Sequence, residues 1–559
     1  MFDPTDKPRV YGLAPGVDFP AALIAGLLDR MRGHPPEALA RVDLIVNTRR
    51  MARRLRDIFD AGPAGFLPRI RLLTELETLV PGMNPPPAIS PLRRRLELVQ
   101  LVSQLLTADP TLAPRTSLYA LADSLAALID EMQGEGISVD KITQLDVTDQ
   151  SGHWQRTQRF LAIAHQYLGQ VSSRPDTEAR QRQLVENIAQ HWANSPPQNP
   201  IIIAGSTGSR GTTSLLMQAV SQLPQGALVL PGFDTYMPTA VWTTLDDEVL
   251  AEDHPQYRFH HLMRQLRIGR NDVTEWTKAP PPSVARNKLV SLSLRPAPVT
   301  HAWLSEGPDL DDLKEATQDL TLVEAPTPRI EALTIAMRLR QAVEMGNTAA
   351  LITPDRMLTR QVTSALDRWD ILPDDSAGAP LHLSPPGRFL RHVAGLFRRK
   401  LDGEALLVLL KHPLTHSGKD RNLHQLFTQQ LEAQIRRIGL PYPDADNLMH
   451  AAQRAAKKME DPEPFLAWAD WVAQTFTAQE RVGSQGLSDW IMQHRGLAEQ
   501  IAAGLPEDPD HELWKKMAGD KARGVVDELT AQAAHGGEMT AADYNDLIGA
   551  LLSLSLIHI

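Results

Sequence analysis

The sequence predicts an α/β protein built on parallel sheet, and three stretches predict it. Across residues 199–236 the chain reads strand, small-residue loop, helix, strand. Ile201–Ala204 is a short apolar run bounded by Pro200 and Gly205. Leu215, Leu216, Ala219 and Leu223 then recur at helical spacing, and residues 227–230 form the next apolar run. Short β-branched runs of this kind suit strands covered on both faces, and a crossover helix between two of them makes them parallel. A second strand–loop–helix opens the chain: residues 9–13 (RVYGL), the loop Ala14-Pro15-Gly16, and a helix with Leu23, Ile24, Leu27, Leu28 and Met31 on one face. The third lies after residue 300. Residues 320–323 form a short strand. Thr327 and Pro328 are the N-cap and first position of a helix with Ala332, Ile335, Ala336, Leu339 and Val343 as its buried stripe. Gly346 closes that helix, and residues 349–353 (AALIT) are the next strand.

A chain of 559 residues is too long for one core, so three or four domains are expected. Apolar content of 42% and charged content of 22% are those of an ordinary globular protein. The net charge of −10 argues against a surface that is basic throughout, so any contact with nucleic acid must be local or shared with a partner. The absence of cysteine excludes disulfides, thiolate metal sites and cysteine nucleophiles in this stretch. The N-terminus has no signal pattern, and no apolar run approaches the roughly 18 residues of a membrane span, so a cytoplasmic location with no membrane partner is expected.

The other elements follow in order. Residues 42–46 (VDLIV) are a strand. Asn47-Thr48-Arg49-Arg50 then opens a helix that buries Met51, Leu55, Ile58 and Phe59. Its other side carries Arg49, Arg50, Arg53, Arg54 and Arg56. Such a row reads either as a solvated helix face or as a contact for nucleic-acid phosphates, which arginine forks match. Residues 67–73 are a third strand. From 91 to about 191 the pattern is helical, with stripes through Leu92, Leu96, Val99 and Leu106, through Leu118, Leu121, Leu125, Leu128 and Met132, and through Phe160, Ala164, Tyr167 and Val171. Residues 280–298, rich in proline and carrying Arg286, Lys288 and Arg295, read as a boundary or surface crossover. A helix with Leu358, Val362, Leu366 and Trp369 and a loop at 374–378 complete the last α/β unit. After about 395 the chain is helical again, with Trp468, Trp471 and Trp490 as core residues. The resulting layout is 1–90 and 196–300 as two parts of a first α/β domain, 91–195 as a helical insertion, 301–395 as a second α/β domain and 396–559 as a helical region. The last residues, LLSLSLIHI, are apolar and uncapped and read as the non-native end of a fragment.

Two glycine loops precede helices and invite a phosphate. A working P-loop reads G-x-x-x-x-G-K-[ST]. In the loop from Gly205 through Gly208 to Gly211, the outer glycines are six apart, and Thr212 follows Gly211 with no lysine between. In the first loop Gly12 and Gly16 are four apart, and Val17 and Asp18 follow; Asp18 would repel phosphate. Both read as degenerate loops or structural turns, and no catalytic residue or metal ligand is assigned. Asp510, Glu512 and Lys515 look like pieces of a nuclease motif. The glutamate and lysine are three apart where the motif needs two, so they are expected to be a surface pair on a helix.

The order of parts is that of a superfamily 1 helicase. The wording resembles one family in particular, in IIIAGSTGS (201–209), LVLPGFDT (228–235), DHPQY (253–257), EAPTPRIEAL (324–333), ALITPDRMLTRQV (350–362), RWDILPDDSAGAPL (368–381) and LLKHPLT (409–415). Over nearly its whole length the chain resembles the AddB-type subunits of alphaproteobacterial helicase–nucleases. That resemblance implies two RecA-like parallel-sheet domains, each with a helical insertion or extension. It implies a partner, AddA, which uses ATP and magnesium as the motor. It also implies a role shared with that partner, the processing of single- and double-stranded DNA ends at double-strand breaks for recombinational repair. The family also has a nuclease domain with a PD-(D/E)xK divalent-metal site and an iron–sulfur cluster held by four cysteines. A chain without cysteine and about half the family's length implies that this domain is absent. The expectation is therefore a helicase-like, ATPase-inactive subunit without a cofactor of its own. Its arginines 49–56 fall at the position of the helicase motif that touches single-stranded DNA. Two alternatives stay open: a nucleotide hydrolase with an unusual phosphate loop, and a purely structural scaffold for AddA.

Overall fold

The computed structural model describes residues 1–138, 141, 174–246, 251–310, 312–376, 378–506 and 508–557. The expected stripe through Phe160, Ala164, Tyr167 and Val171 lies outside the described residues. In chain order the strands are β1 (Val10–Gly12), β2 (Asp43–Val46), β3 (Arg69–Leu72), β4 (Ile201–Ala204), β5 (Gly226–Leu230), β6 (Thr274–Glu275), β7 (Ala379–Pro380), β8 (Ser484–Gly486), β9 (Glu538–Thr540) and β10 (Leu556–Ile557). The helices of eight residues or more begin with α1 (Phe19–Arg30), α2 (Arg49–Asp60), α3 (Pro91–Ala108), α4 (Leu118–Glu135), α5 (Thr177–Asn194) and α6 (Gly211–Ser221). They continue with α7 (Tyr257–Leu266), α8 (Val284–Ser293), α9 (Pro328–Glu344), α10 (Arg356–Asp367), α11 (Pro385–Arg398) and α12 (Gly403–Leu410). The last are α13 (Arg421–Ile438), α14 (Ala445–Ala456), α15 (Glu463–Phe476), α16 (Leu487–Ala503), α17 (Lys516–Ala531) and α18 (Ala541–Leu554). Two compact units divide the chain: Met1–Ile89 with Ala127–Leu322, and Ser90–Ala126 with Val323–Ile559.

The first unit is α/β, with a six-stranded sheet in the order β3-β2-β4-β5-β1-β6. Every pairing in it is parallel, with Asp43 opposite Ile201 and Val10 opposite Leu228 setting the register. Alternate residues of the central strands feed two separate cores. Leu44, Val46, Ile202, Ala204, Ala227 and Val229 pack under α1 and α2. Ile45, Ile201, Ile203, Leu228 and Leu230 pack under α5, α6 and α7. A sheet covered on both faces explains why its strands read as unbroken apolar runs instead of alternating ones. Helix α2 leaves β2 on one face and α6 leaves the neighbouring β4 on the other. The connections therefore diverge between β2 and β4, and the crevice at their carboxyl ends is where such sheets hold ligands. The two-residue edge strand β6, Thr274 and Glu275, has no apolar run to announce it.

In the second unit the expected stripe of α3 is buried at Leu92, Leu96, Val99 and Leu106. Trp468, Trp471 and Trp490 are buried in the helical region, and none is a stacking platform for bases. Helices α9 and α10 form as expected and pack on one another through Ala332, Ala336, Val362 and Leu366. Among the described residues the expected second parallel sheet is not seen. Residues 320–323 and 349–353 carry no ladder, and among the described residues of 301–378 there is no strand. An apolar run favours extended backbone, but a strand exists only by pairing, and among the described residues neither segment is hydrogen-bonded into a ladder. Strand β7 pairs antiparallel with β10, and β8 with β9.

Two smaller expectations change. Residues 280–298 contain α8, and Arg295, expected in a surface crossover, is buried. It donates to the carbonyl of Ser291 at 2.8 Å and pairs with Glu306 at 2.8 Å. Glu512 and Lys515 lie in a turn before α17, where Lys515 Nζ is 2.7 Å from Asp510 and 3.2 Å from Glu512. Among the described residues no helix is long and apolar enough to cross a membrane.

Candidate functional site at the carboxyl edge of the sheet

The crevice is built from the turns that leave β2 and β4, and the turn after β1 lies two strands away along the same edge. After β2, Thr48 turns the chain into α2: its hydroxyl accepts the Met51 N–H at 3.1 Å from an extended backbone, as an N-cap does. Helix α2 buries Ala52 and Leu55 and turns its arginines outward. Arg49 reaches Glu75 at 3.8 Å and Arg54 reaches Asp18 at 3.8 Å, both as exposed surface pairs. Pairs of that kind hold a side chain weakly, at about 0–1 kcal/mol. Arg53 and Arg56 make no ion pair or hydrogen bond among the described residues, while Arg50 is partnered. The expected row therefore exists as an exposed cationic face.

The loop after β4 is bound to the same edge. Asn47 Nδ2 donates to the Gly205 carbonyl at 2.7 Å, tying the turns after β2 and β4 together across the crevice. Gly205 and Gly208 have φ of +77° and +68°, a region that favours glycine. Ser206 Oγ accepts the Gly208 N–H at 3.2 Å. At the start of α6 the Gly211 N–H donates to Glu135 Oε1 at 2.7 Å, and the Thr212 hydroxyl donates to the Gly134 carbonyl at 3.1 Å. The helix N-terminus, with its free N–H groups and positive dipole end, attracts an anion. Here the carboxylate of Glu135, at the end of α4, takes that position.

The first loop behaves in the same way. Asp18 caps α1 by accepting the Ala21 N–H at 3.2 Å, so a carboxylate again stands at the helix N-terminus. Gly16 has φ of +81°, and Asn287 donates to the carbonyl of Pro15 at 3.0 Å. Gly12 serves packing: a Cβ there would stand 2.9 Å from Cβ of Phe233. Of the phosphate-loop positions read from the sequence, Gly16 belongs to one turn and Gly205, Gly208, Gly211 and Thr212 to another. Strand β5 separates the two, a gap of roughly 10 Å by strand spacing. They do not converge into one cradle. Each helix start holds a carboxylate, and neither loop carries a lysine at the P-loop position.

Sequence reasoning found the arginine row and read Asp18 as a carboxylate that would repel phosphate, but not as the cap of α1. It missed Glu135, which lies 76 residues from Gly211, a separation over which no periodicity or local motif signals contact. Two of the stretches carrying the resemblance also meet. Gln256 donates to the Gly232 carbonyl at 2.9 Å and accepts the Asp234 N–H at 3.0 Å, clamping the turn after β5. Beside it, burial holds His254 below its ordinary pKa. A scan against models of known protein families finds no match to the chain, and a search of curated proteins finds none either.

Proposed function

We propose that the chain is the helicase-like subunit of an AddA–AddB type helicase–nuclease, and that it binds DNA at broken ends without hydrolysing ATP. The observation that carries this reading is the Glu135 carboxylate on the Gly211 N–H, where a nucleotide phosphate would otherwise lie, beside an outward row of arginines. The sequence stretches of the resemblance and the doubly wound parallel sheet of the first unit support the architecture. In this reading the region of α9 and α10 is the second RecA-like domain. AddA uses ATP and magnesium, and the complex works in the cytoplasm. The iron–sulfur cluster and divalent metal belong to a nuclease domain; a chain without cysteine does not fit such a cluster.

Two measurements test the reading. Equilibrium dialysis of this chain alone against ATP and magnesium should show no retained nucleotide, and retention would overturn the silent-subunit reading. In the AddA–AddB type complex, the change Arg49→Glu, Arg50→Glu, Arg53→Glu and Arg54→Glu should weaken binding of a single-stranded oligonucleotide at least tenfold and flatten its salt dependence. The exposed apolar segments at 320–323 and 349–353 favour a second reading, a protein-docking scaffold. An unchanged DNA affinity after charge reversal would select it.

A further inference from the structure

A pocket of about 380 Å3 lies within the second unit, between α11, α18 and the 3-10 turn Arg115–Ser117. Helix α11 presents Arg388, Arg391 and His392, at spacings of three and four, on one face. Thr116 and Asn545 line the facing walls. We propose that this pocket binds a phosphate group, held by the guanidinium forks of Arg388 and Arg391 with His392, Thr116 and Asn545 as further donors.

The charge balance argues for an anion. Among the described residues neither Arg388 nor Arg391 makes a hydrogen bond or ion pair. The one carboxylate in the wall, Asp546, is engaged by Arg398 at 3.7 Å and by Asn545 Nδ2 at 3.2 Å. The Arg421 guanidinium and a second, neutral imidazole, His412, lie close by. The rings of His392 and His412 are 6.5 Å apart, and Arg421 neighbours His412. Burial, reinforced by Arg391 and Arg388, holds His392 below its ordinary pKa. Arg388, Arg391 and His392 are exposed, so their mutual repulsion is weak, but two arginines on one helix face with no carboxylate partner among the described residues make a local positive potential that attracts an anion. Two forks from one helix, with a hydroxyl and an amide on other walls, surround a tetrahedral group of oxygens; a planar carboxylate is satisfied by a single fork. Gly549 and Ala550 keep the α18 wall low, and a Cβ on Gly549 would meet nothing within 4 Å. The volume falls within the roughly 300–1,000 Å3 of small-ligand clefts. This inference does not rest on the arginines of α2.

The ester could come from a nucleic-acid backbone or from a small phosphate compound. The test uses the full chain with two probes, inorganic phosphate followed by 31P NMR line broadening and a fluorescein-labelled single-stranded oligonucleotide followed by anisotropy. R388Q/R391Q should weaken phosphate binding at least tenfold, while K457Q/K458Q, the same charge change at exposed positions elsewhere in the unit, should alter it less than twofold. Gly549→Leu should weaken it too, by filling the cavity with every charge kept. A parallel tenfold loss for the oligonucleotide assigns the phosphate to nucleic acid; loss for inorganic phosphate alone assigns it to a small ligand. Three results each overturn the proposal: no phosphate binding by the unaltered chain, unaltered binding by R388Q/R391Q or Gly549→Leu, or an equal loss in the lysine control.

Discussion

Strands β4 and β5 lie inside a sheet, with β2 on one side and β1 on the other, and every residue of β4 is buried. The segments that flank α9 are likewise short and largely apolar with a helix between them, yet Leu322 is 87% and Ile352 94% exposed. The difference is not one of local preference. Both regions favour extended backbone followed by an amphipathic helix. What β4 has in addition is neighbours on both edges and a helical layer on each face, supplied by residues far away in the chain. The pair α9 and α10 buries four residues against each other and leaves the sheet side of that layer open. Apolar, unpaired extended segments are sites where other strands add, so this region is prone to self-association.

The largest expected effect is a direct contrast. Ile203→Asp places a charge between two layers and should unfold the first unit, at a cost of several kcal/mol, seen as loss of the cooperative transition in urea. Ile352→Asp should shift stability by less than about 0.5 kcal/mol and reduce light scattering from self-association. A comparable loss of stability from Ile352→Asp would mean that the segment is buried in solution, and the contrast would fail.

Acidification sharpens the comparison from another side, because the second unit is well packed elsewhere. Burial holds His412, His424 and His494 down to about 4. His424 gives its Nδ1 to the Trp468 N–H at 3.0 Å, and His494 bridges Tyr544 at 2.8 Å and the Leu390 carbonyl at 2.8 Å. Each is neutral when folded and takes up a proton more readily when unfolded. The unfolded state therefore gains protons first as pH falls. Stability is full above about 6.5, declines between 6.5 and 4, and levels off below, with a loss of up to about 3 kcal/mol per histidine. Hydrogen exchange in α15 and α16 should speed up over that window while exchange in β4 and β5 changes little. Equal acceleration in both would show that the buried histidines are not the cause.

A smaller effect is expected at Glu135. Glu135→Ala removes the acceptor of the Gly211 N–H and the anion at the start of α6, at a cost of about 1 kcal/mol. Amides in the first turn of α6 should exchange faster. ATP should still not bind, because the missing lysine is not restored; binding in this variant would identify the carboxylate as the sole block.

What could be read in advance follows the same division. Strands β1, β2, β4 and β5 were legible because runs such as Ile201–Ala204 are apolar on both faces, α2 because residues 47–50 open a helical stripe through Met51 and Leu55, and α9 because Thr327 caps it. Two kinds of feature were not. Strand β6 is polar and two residues long, and is defined only by its pairing with Tyr11 and Gly12. Glu135 on Gly211 and Asn47 on Gly205 depend on contacts between distant segments. The unpaired segments 320–323 and 349–353 belong with them, since a run that specifies extended backbone does not specify a neighbour.

The smallest expected difference compares one chemistry in two settings. Thr48 and Thr327 are both N-caps, accepting from Met51 N at 3.1 Å and Ile330 N at 3.3 Å. Replacing either with alanine removes the same bond, worth about 1 kcal/mol. In α2 the helix is fastened to the sheet through Ala52 and Leu55, so Thr48→Ala should lower the unfolding midpoint of the first unit as a whole. Helix α9 is fastened to α10 and to no ladder, so Thr327→Ala should raise hydrogen exchange within 328–344 and leave the midpoint of the second unit in place. If Thr327→Ala lowers that midpoint as much as Thr48→Ala lowers the other, α9 unfolds together with its unit. The open side of its layer would then be closed in solution by pairing that residues 320–353 must supply.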